Sequence, residues 1–227
     1  MNIDVKEKIE QIGLDYARLS RLYRIKNKDF SIISNNCCGS LIYRLLELKK
    51  LSPTQDLIVE RKNFPVFCRN LKYYLRLPVD VPTEEERSTR PSVSCPVGIL
   101  HAGPELPDVF LTFLHYDSFE QATDAWYRRR ERVNYDNLFF LMDCGMEATE
   151  ELLDEFERLP SPNKVVFTHL QDKKRWKHTF RFGYYTEKEY KPARMFRRRW
   201  RWPFLYLIMD EFPYIKWLNH GVRGDFL

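Results

Sequence analysis

Several short apolar runs in this sequence end directly in residues that can bind a polar ligand or move a proton. Asn35-Asn36 follow Phe30–Ser34, and His115 and Asp117 follow Val109–Leu114. Asp143 follows Leu138–Met142, and Thr168-His169 follow Val165–Phe167. The runs are rich in β-branched and aromatic residues, the pattern of strands buried on both faces. In a parallel sheet, polar residues just past the carboxyl ends of strands line the ligand crevice. His115 or Asp117 there would suit a general base for a hydroxyl group; a hydrogen-bonded structural histidine fits the same position. The segment Asn35-Asn36-Cys37-Cys38-Gly39-Ser40 enters an apolar helical pattern. Such a turn points free N–H groups and a helix dipole at an anion, which makes Asn35, Asn36, Gly39 and Ser40 candidate ligands. It has neither the glycine spacing of a dinucleotide fingerprint nor the Gly-Lys pair of a P-loop, and asparagines there also serve as plain local caps. Cys37 and Cys38 have no neighbouring histidine and read as small buried thiols. Arg129 and Arg130 belong to the run Arg128-Arg129-Arg130-Glu131-Arg132, with Arg130 between Trp126 and Val133 on the apolar face. They would hold a phosphate bidentately, or simply complement a helix C-terminus. Asn134 and Asp136, in the break after that helix, complete the candidate lining. No HExxH motif, metal-ligand cluster or Asp-x-Asp motif is present, so neither a cofactor nor a divalent metal is required.

The elements that would position these groups follow from periodicity. Val109–Met142 reads as strand, helix, strand. Ser118 stands at an N-cap with Gln121 three residues on, as in a capping box, and Phe119, Ala122, Trp126 and Val133 share one helical face. A βαβ unit is expected here. Upstream, Leu41, Ile42, Leu45, Leu46 and Leu48 suit a buried helix, and Leu57–Val59 a short strand. Asn63 is expected to cap a helix reaching about Leu75. Pro78–Pro96 reads as a loop or lid. A turn at His101-Ala102-Gly103-Pro104 separates a strand at Val97–Leu100 from the one at Val109. A further helix is expected from about Glu147 to Leu159. The first 28 residues form an amphipathic helix with Ile9, Ile12, Tyr16 and Leu19 on one face. That face can pack on the domain, pair with a second subunit or lie on a membrane; packing is the expectation. The fold class is α/β, a Rossmann-like, mostly parallel sheet flanked by helices. A helical N-terminal segment (1–28), a core (29–170) and a basic, aromatic C-terminal extension (171–227) divide the chain.

Composition narrows the classes. At 227 residues and 44% hydrophobic the chain is long enough for one substantial core, and 15% aromatic content argues against disorder. The formal charge is +5, yet Asp172–Phe204 alone holds 12 Lys/Arg against 3 Asp/Glu. That extension interleaves cations with aromatics in Lys173–Lys177 and Arg194–Phe204. It fits an anionic membrane surface better than nucleic acid, for which no fold motif appears. Five cysteines without CxxC spacing, no signal peptide and no transmembrane run point to a reducing, cytoplasmic setting.

The stretches FSIISNNCCGSLIYRLLELKKLSPT, CPVGIL, FLHYDSFEQATDAWYRRRERVNYDNLFFLMD and LPSPNKVVFTH, in this order, resemble a bacterial family described as exopolysaccharide biosynthesis proteins, long carried as a domain of unknown function. The likeness covers roughly residues 29–170 and again 214–219. It implies a role in building capsule, exopolysaccharide or lipopolysaccharide. The expected activity is glycosyl transfer from a nucleotide-sugar to a lipid-linked saccharide acceptor at the inner face of the plasma membrane. Acyl or phosphoryl transfer onto the polysaccharide, and ligand binding without turnover by an assembly protein, are the alternatives.

Overall fold

The computed structural model describes residues 3–89, 93–184, 195, 197–201 and 204–227. In chain order it contains α1 (Ile3–Arg24), β1 (Ser31–Ser34), α2 (Cys38–Leu45), β2 (Leu57–Val59), α3 (Phe64–Arg69), α4 (Leu71–Tyr74), α5 (Glu84–Ser88), β3 (Val97–Leu100) and β4 (Val109–Phe113). There follow α6 (Phe119–Arg130), β5 (Leu138–Gly145), α7 (Glu150–Glu157), β6 (Lys164–Thr168), β7 (Thr179–Phe180), β8 (Arg198–Arg201), β9 (Phe204–Leu207) and α8 (Tyr214–Asn219). A four-stranded parallel sheet has the order β1-β5-β6-β7. A three-stranded antiparallel sheet, β2-β4-β3, stands beside it, and β8-β9 form a separate antiparallel pair. The protein is α/β, as its sequence pattern requires. Among the described residues no helix is long and apolar enough to cross a membrane.

Alternation along β5 explains the layering. Side chains of successive strand residues point to opposite faces. Leu138, Phe140, Met142 and Cys144 join one core, with the antiparallel sheet, α3, α4, α6 and α7. Phe139 and Leu141 join the other, formed by α2 with Phe182, Tyr184, Met195 and residues of Ile208–Leu218. Both faces of the sheet are therefore covered, which is why β5 reads as an unbroken apolar run. Lys164, a buried cation at the start of β6, donates to the carbonyls of Glu157 and Leu159 at the end of α7, at 2.6 and 2.5 Å. It satisfies acceptors that the helix leaves open.

Several expectations need correction. The strand at Val109 does not share a sheet with Leu138–Gly145: β4 pairs antiparallel with β2 and β3, so α6 crosses between two sheets and Val109–Met142 is not a βαβ unit; β5, α7 and β6 form one instead. The Ser118 hydroxyl does cap α6, accepting the Gln121 N–H at 3.2 Å. Asn63 does not cap through its side chain, which instead donates to the Asp108 carbonyl at 3.1 Å. The helix expected after it is broken at Asn70 into α3 and α4. The Pro78–Pro96 segment carries α5, closed by a full Thr83/Glu86 capping box. On α1, the face bearing Ile9, Ile12, Tyr16 and Leu19 is exposed. The helix instead lies against β9 and is held by Arg21 to Asp210 at 3.1 and 2.7 Å. A domain surface rewards whichever face meets it, and here Arg21 supplies one tie and Arg18, paired with Glu47, another. In the extension, Trp176 is buried and donates to Asp154 at 2.8 Å, with Arg175 paired to Glu150 and Asp154. Much of the remaining basic run, at 185–194, 196, 202 and 203, lies outside the described residues.

Candidate functional site

A cleft of about 1230 Å³ opens where the carboxyl end of β1 meets the start of α2 and the end of β2; Asp143 of β5 stands behind the lining, bonded to Asn36. β1 and β5 run parallel and adjacent, so their last residues deliver Asn35, Asn36 and Asp143 to one place. The Asn35 amide bridges the strands: its Nδ2 donates to the Asp143 carbonyl at 3.1 Å, and its Oδ1 accepts the Asp143 N–H at 2.8 Å. The Asn35 carbonyl accepts the Val59 N–H at 2.9 Å, which joins the antiparallel sheet to the end of β1. Asn36 faces the cleft. Its Oδ1 accepts the Cys38 N–H at 2.9 Å, capping the first turn of α2, and its Nδ2 donates to Asp143 Oδ2 at 2.9 Å. The local-cap role and the site role thus coexist in one side chain. The Ser34 hydroxyl fixes Asn36 further by donating to its carbonyl at 2.8 Å.

Gly39 does not line the cleft. It lets α2 rest on β1, because a Cβ there would stand 2.6 Å from Ser34 Oγ. Ser40 does line it, and its hydroxyl accepts the Asp56 N–H at 3.0 Å. Asp56 has a left-handed backbone, φ +62°. Burial would raise its carboxyl, but Lys50 at 2.6 Å, Ser40 and Arg129 outweigh that and hold it below the ordinary 3.8. Arg129 braces this turn from behind, donating to the Gln55 carbonyl and the Tyr116 hydroxyl at 3.1 and 2.8 Å. The thiols are neutral groups here: burial first, then Asp56, pushes Cys37 up to about 11. Cys38 is fully enclosed against Asp143 and Met195 and is raised well above 9.0.

His115 lies on the opposite rim, exposed, with φ +64°. A left-handed backbone at a non-glycine residue carries strain that is characteristic of functional positions. Asp117 is exposed on the same turn but outside the lining. Thr168 and His169 stay on the parallel sheet's carboxyl edge without lining the cleft. His169 Nδ1 lies 2.9 Å from the Gly145 carbonyl, and the Thr168 hydroxyl accepts the Leu170 N–H.

Three candidates belong elsewhere. Arg130 donates to the carbonyls of Leu75 and Leu77, beyond α4. Asn134 bonds Asp29 and Ser31 before and at the start of β1. The Asp136 carbonyl accepts the Gly224 N–H. The reason is direction: α6 runs about 18 Å from the carboxyl edge to the amino edge of the sheet, so whatever follows it sits at the wrong end.

Sequence reasoning missed Arg61. Its Nε donates to the Asp143 carbonyl at 2.9 Å and its Nη1 to Glu147 at 2.7 Å. With Arg44, Lys50 and Lys62 it gives the cleft four cations, set against four carboxylates on the same lining, Glu47, Asp56, Glu60 and Glu147; Lys50, Arg61 and Lys62 are paired with Asp56, Glu147 and Glu60. The signal was present, since Glu60-Arg61-Lys62 follow a strand directly, but β2 is only three residues long. Away from the cleft, Glu86, His101 and Asp108 have ligand atoms within 4.8 Å of one another. The carboxylates face opposite ring nitrogens, Asp108 at 3.1 Å from Nδ1 and Glu86 at 4.0 Å from Nε2, so they flank the ring rather than converge on one point.

Fold and site together define an α/β protein with a charged, ligand-sized cleft at the carboxyl edge of a parallel sheet. The chain belongs to the family described as a domain of unknown function, DUF1919, which it matches over residues 9–219. It is also 31% identical over 202 residues to an uncharacterized protein of Haemophilus influenzae, covering 87% of this chain and 88% of that one.

Proposed function

We propose that this protein is a glycosyltransferase of surface-polysaccharide synthesis that moves a sugar from a nucleotide donor to a lipid-linked acceptor. The observation that carries the reading is the composition of the cleft. Its volume of about 1230 Å³ is above the usual small-ligand range and accommodates a nucleoside diphosphosugar. The first turn of α2 faces it from one side, and Arg44, Lys50, Arg61 and Lys62, balanced at rest by Glu47, Asp56, Glu60 and Glu147 on the same lining, are the cations available to a leaving diphosphate. His115, on the far rim, is placed to accept the proton of an acceptor hydroxyl. The resemblance of the strand-end motifs to exopolysaccharide biosynthesis proteins supports a role in building surface polysaccharide rather than any one reaction. Exposed Arg197 and Arg198 beside β9 would keep the protein at an anionic leaflet, where lipid-linked acceptors reside.

The test is a ligand panel read by thermal unfolding. A ligand bound only to the native state stabilises it by about 2.7 kcal/mol at a hundred times its Kd. Nucleoside diphosphates should raise Tm, coenzyme A should not, and a matching nucleotide-sugar should be consumed in the presence of lipid-linked saccharide. Stabilisation by coenzyme A alone would replace sugar transfer with acyl transfer. Nucleotide binding with no turnover on any lipid-linked acceptor would leave a ligand-binding assembly protein.

A further inference from the structure

Arg130, which the cleft does not use, borders a second cavity. It closes α6, and together with the end of α4 and the turn before β5 it encloses about 330 Å³. That volume is at the lower end of the small-ligand range. The lining sets three cations, Lys72, Arg76 and Arg130, against one carboxylate, Glu131, and adds the apolar surface of Leu75, Val133 and Tyr135. Arg130 is fixed in place. Its Nη1 donates to the Leu75 and Leu77 carbonyls at 3.0 and 3.4 Å, its Nε reaches Glu131 at 3.1 Å, and the guanidinium stands 4.6 Å over the Tyr127 ring. Its other terminal nitrogen, Nη2, has no acceptor among the described residues. Lys72 pairs with Asp225 and donates to the Leu227 carbonyl at 3.1 Å. With Asp225 included, three cations meet two carboxylates, and Arg76 is the excess charge. It is exposed, has no carboxylate partner among the described residues, and faces Tyr135: burial raises that phenol, and the Arg76 charge works against the rise.

We propose that this cavity binds a small organic phosphate, its dianion held by Arg76 and by Nη2 of Arg130, its carbon skeleton against Leu75, Val133 and Tyr135. Two guanidinium groups with unused donors match the oxygens of a phosphate better than an ammonium does. The pairs already present do not block it. Glu131 and Asp225 are 74 and 44% exposed in their side chains, and exposed pairs of this kind contribute about 0–1 kcal/mol. A hydrogen bond from a charged donor contributes about 1.5–3 kcal/mol, so Glu131 and Asp225 yield to a dianion. The apolar part of the lining selects an organic phosphate over the bare ion, which would leave that surface uncovered. The cavity lies at the far end of α6 from the cleft, and the inference does not rest on the function proposed there.

Isothermal titration of the full chain with phenyl phosphate at low salt tests it. The wild type should bind with a Kd below about 1 mM. Arg76→Gln, at an exposed side chain, should weaken that binding about tenfold or more with Tm unchanged. The component lost in Arg76→Gln should persist in Lys62→Gln, which removes a cation from the cleft instead. Inorganic phosphate should bind about tenfold more weakly than phenyl phosphate, since it cannot cover the apolar lining. No heat at about 10 mM phenyl phosphate, or binding that survives Arg76→Gln in full, overturns the proposal. Loss of binding in Lys62→Gln with retention in Arg76→Gln also overturns it, because the phosphate would then sit in the cleft. Equal affinity for the two phosphates overturns it as well, since the cavity would hold an adventitious ion only.

Discussion

Replacing Gly39 with alanine sets two opposed effects against each other. In a helix interior, Gly→Ala stabilises by about 1 kcal/mol. Gly39 is in the first turn of α2, over β1, and there the packing opposes it. The new Cβ would lie 2.6 Å from Ser34 Oγ, 3.2 Å from Ser34 Cβ and 3.3 Å from Ile32 Cγ2. Rotating the serine relieves the worst contact but gives up its 2.8 Å bond to the Asn36 carbonyl, a loss of about 1 kcal/mol. The other two contacts still require α2 and β1 to separate by a few tenths of an ångström, in a region where Ile32 and Ser34 are fully buried. Overpacking of that kind costs about 1–3 kcal/mol. The net expectation is destabilisation by about 1–2 kcal/mol, measured by urea unfolding at constant m. Ser34→Ala removes the hydroxyl, so Gly39→Ala should cost about 1 kcal/mol less in that background. Neutral or stabilising behaviour in the wild-type background, or strict additivity of the two changes, would refute the packing account.

Other outcomes can be measured alongside. His115→Gly should be about 1 kcal/mol more stable than His115→Ala, because only glycine adopts φ +64° without a Cβ penalty, and both should lower turnover about 10²–10⁴-fold if the imidazole is the base. Asp56 has a folded-state pKa below its ordinary 3.8, so its contribution is complete above that value and is lost as pH falls below it toward the folded value; Asp56→Asn should flatten the acid limb of the stability profile there. With the Cys37 thiol raised to about 11, iodoacetamide at pH 7.5 should modify Cys37 and Cys38 in the native protein far more slowly than in urea, as peptide mass mapping would reveal. The protein should pellet with anionic liposomes at low salt and be released as ionic strength rises, and Arg197, Arg198, Arg199 and Arg201 changed to Ser should abolish pelleting; equal binding to neutral vesicles would count against the membrane contact.

What the sequence made legible was the type of each element and the polar residues at strand ends. Apolar runs named β1, β4, β5 and β6 within a few residues, and two of those ends, at Asn35-Asn36 and at His115, line the cleft. Pairing partners stayed hidden: Val109–Phe113 is as buried in an antiparallel sheet as it would be in a parallel one, and periodicity reports burial, not neighbours. Direction was the second loss. Arg130, Asn134 and Asp136 looked contiguous with His115 along the chain, but a helix carries its far end to the other edge of the sheet. On α1 the spacing of Ile9, Ile12, Tyr16 and Leu19 marks an apolar face but not its direction, and that face is exposed, since helical periodicity does not say which side meets the domain.

The second core has a consequence in time. Its early half, Phe30 to Leu46, is covered by Ile208 to Leu218, roughly 160 residues later in the chain. At about 5–20 residues per second of synthesis, α2 and one face of β1 wait roughly 10–30 s for the segment that closes over them. Throughout that interval Ile32, Leu41, Ile42 and Leu46 lack the cover that Ile208–Leu218 supplies, so the nascent chain passes through a stage at which this half of the molecule is incompletely closed on the ribosome. A premature stop before residue 208 would therefore leave a chain whose β1–α2 half cannot bury its apolar surface, and such a fragment should be cleared or aggregate rather than persist as a smaller folded protein.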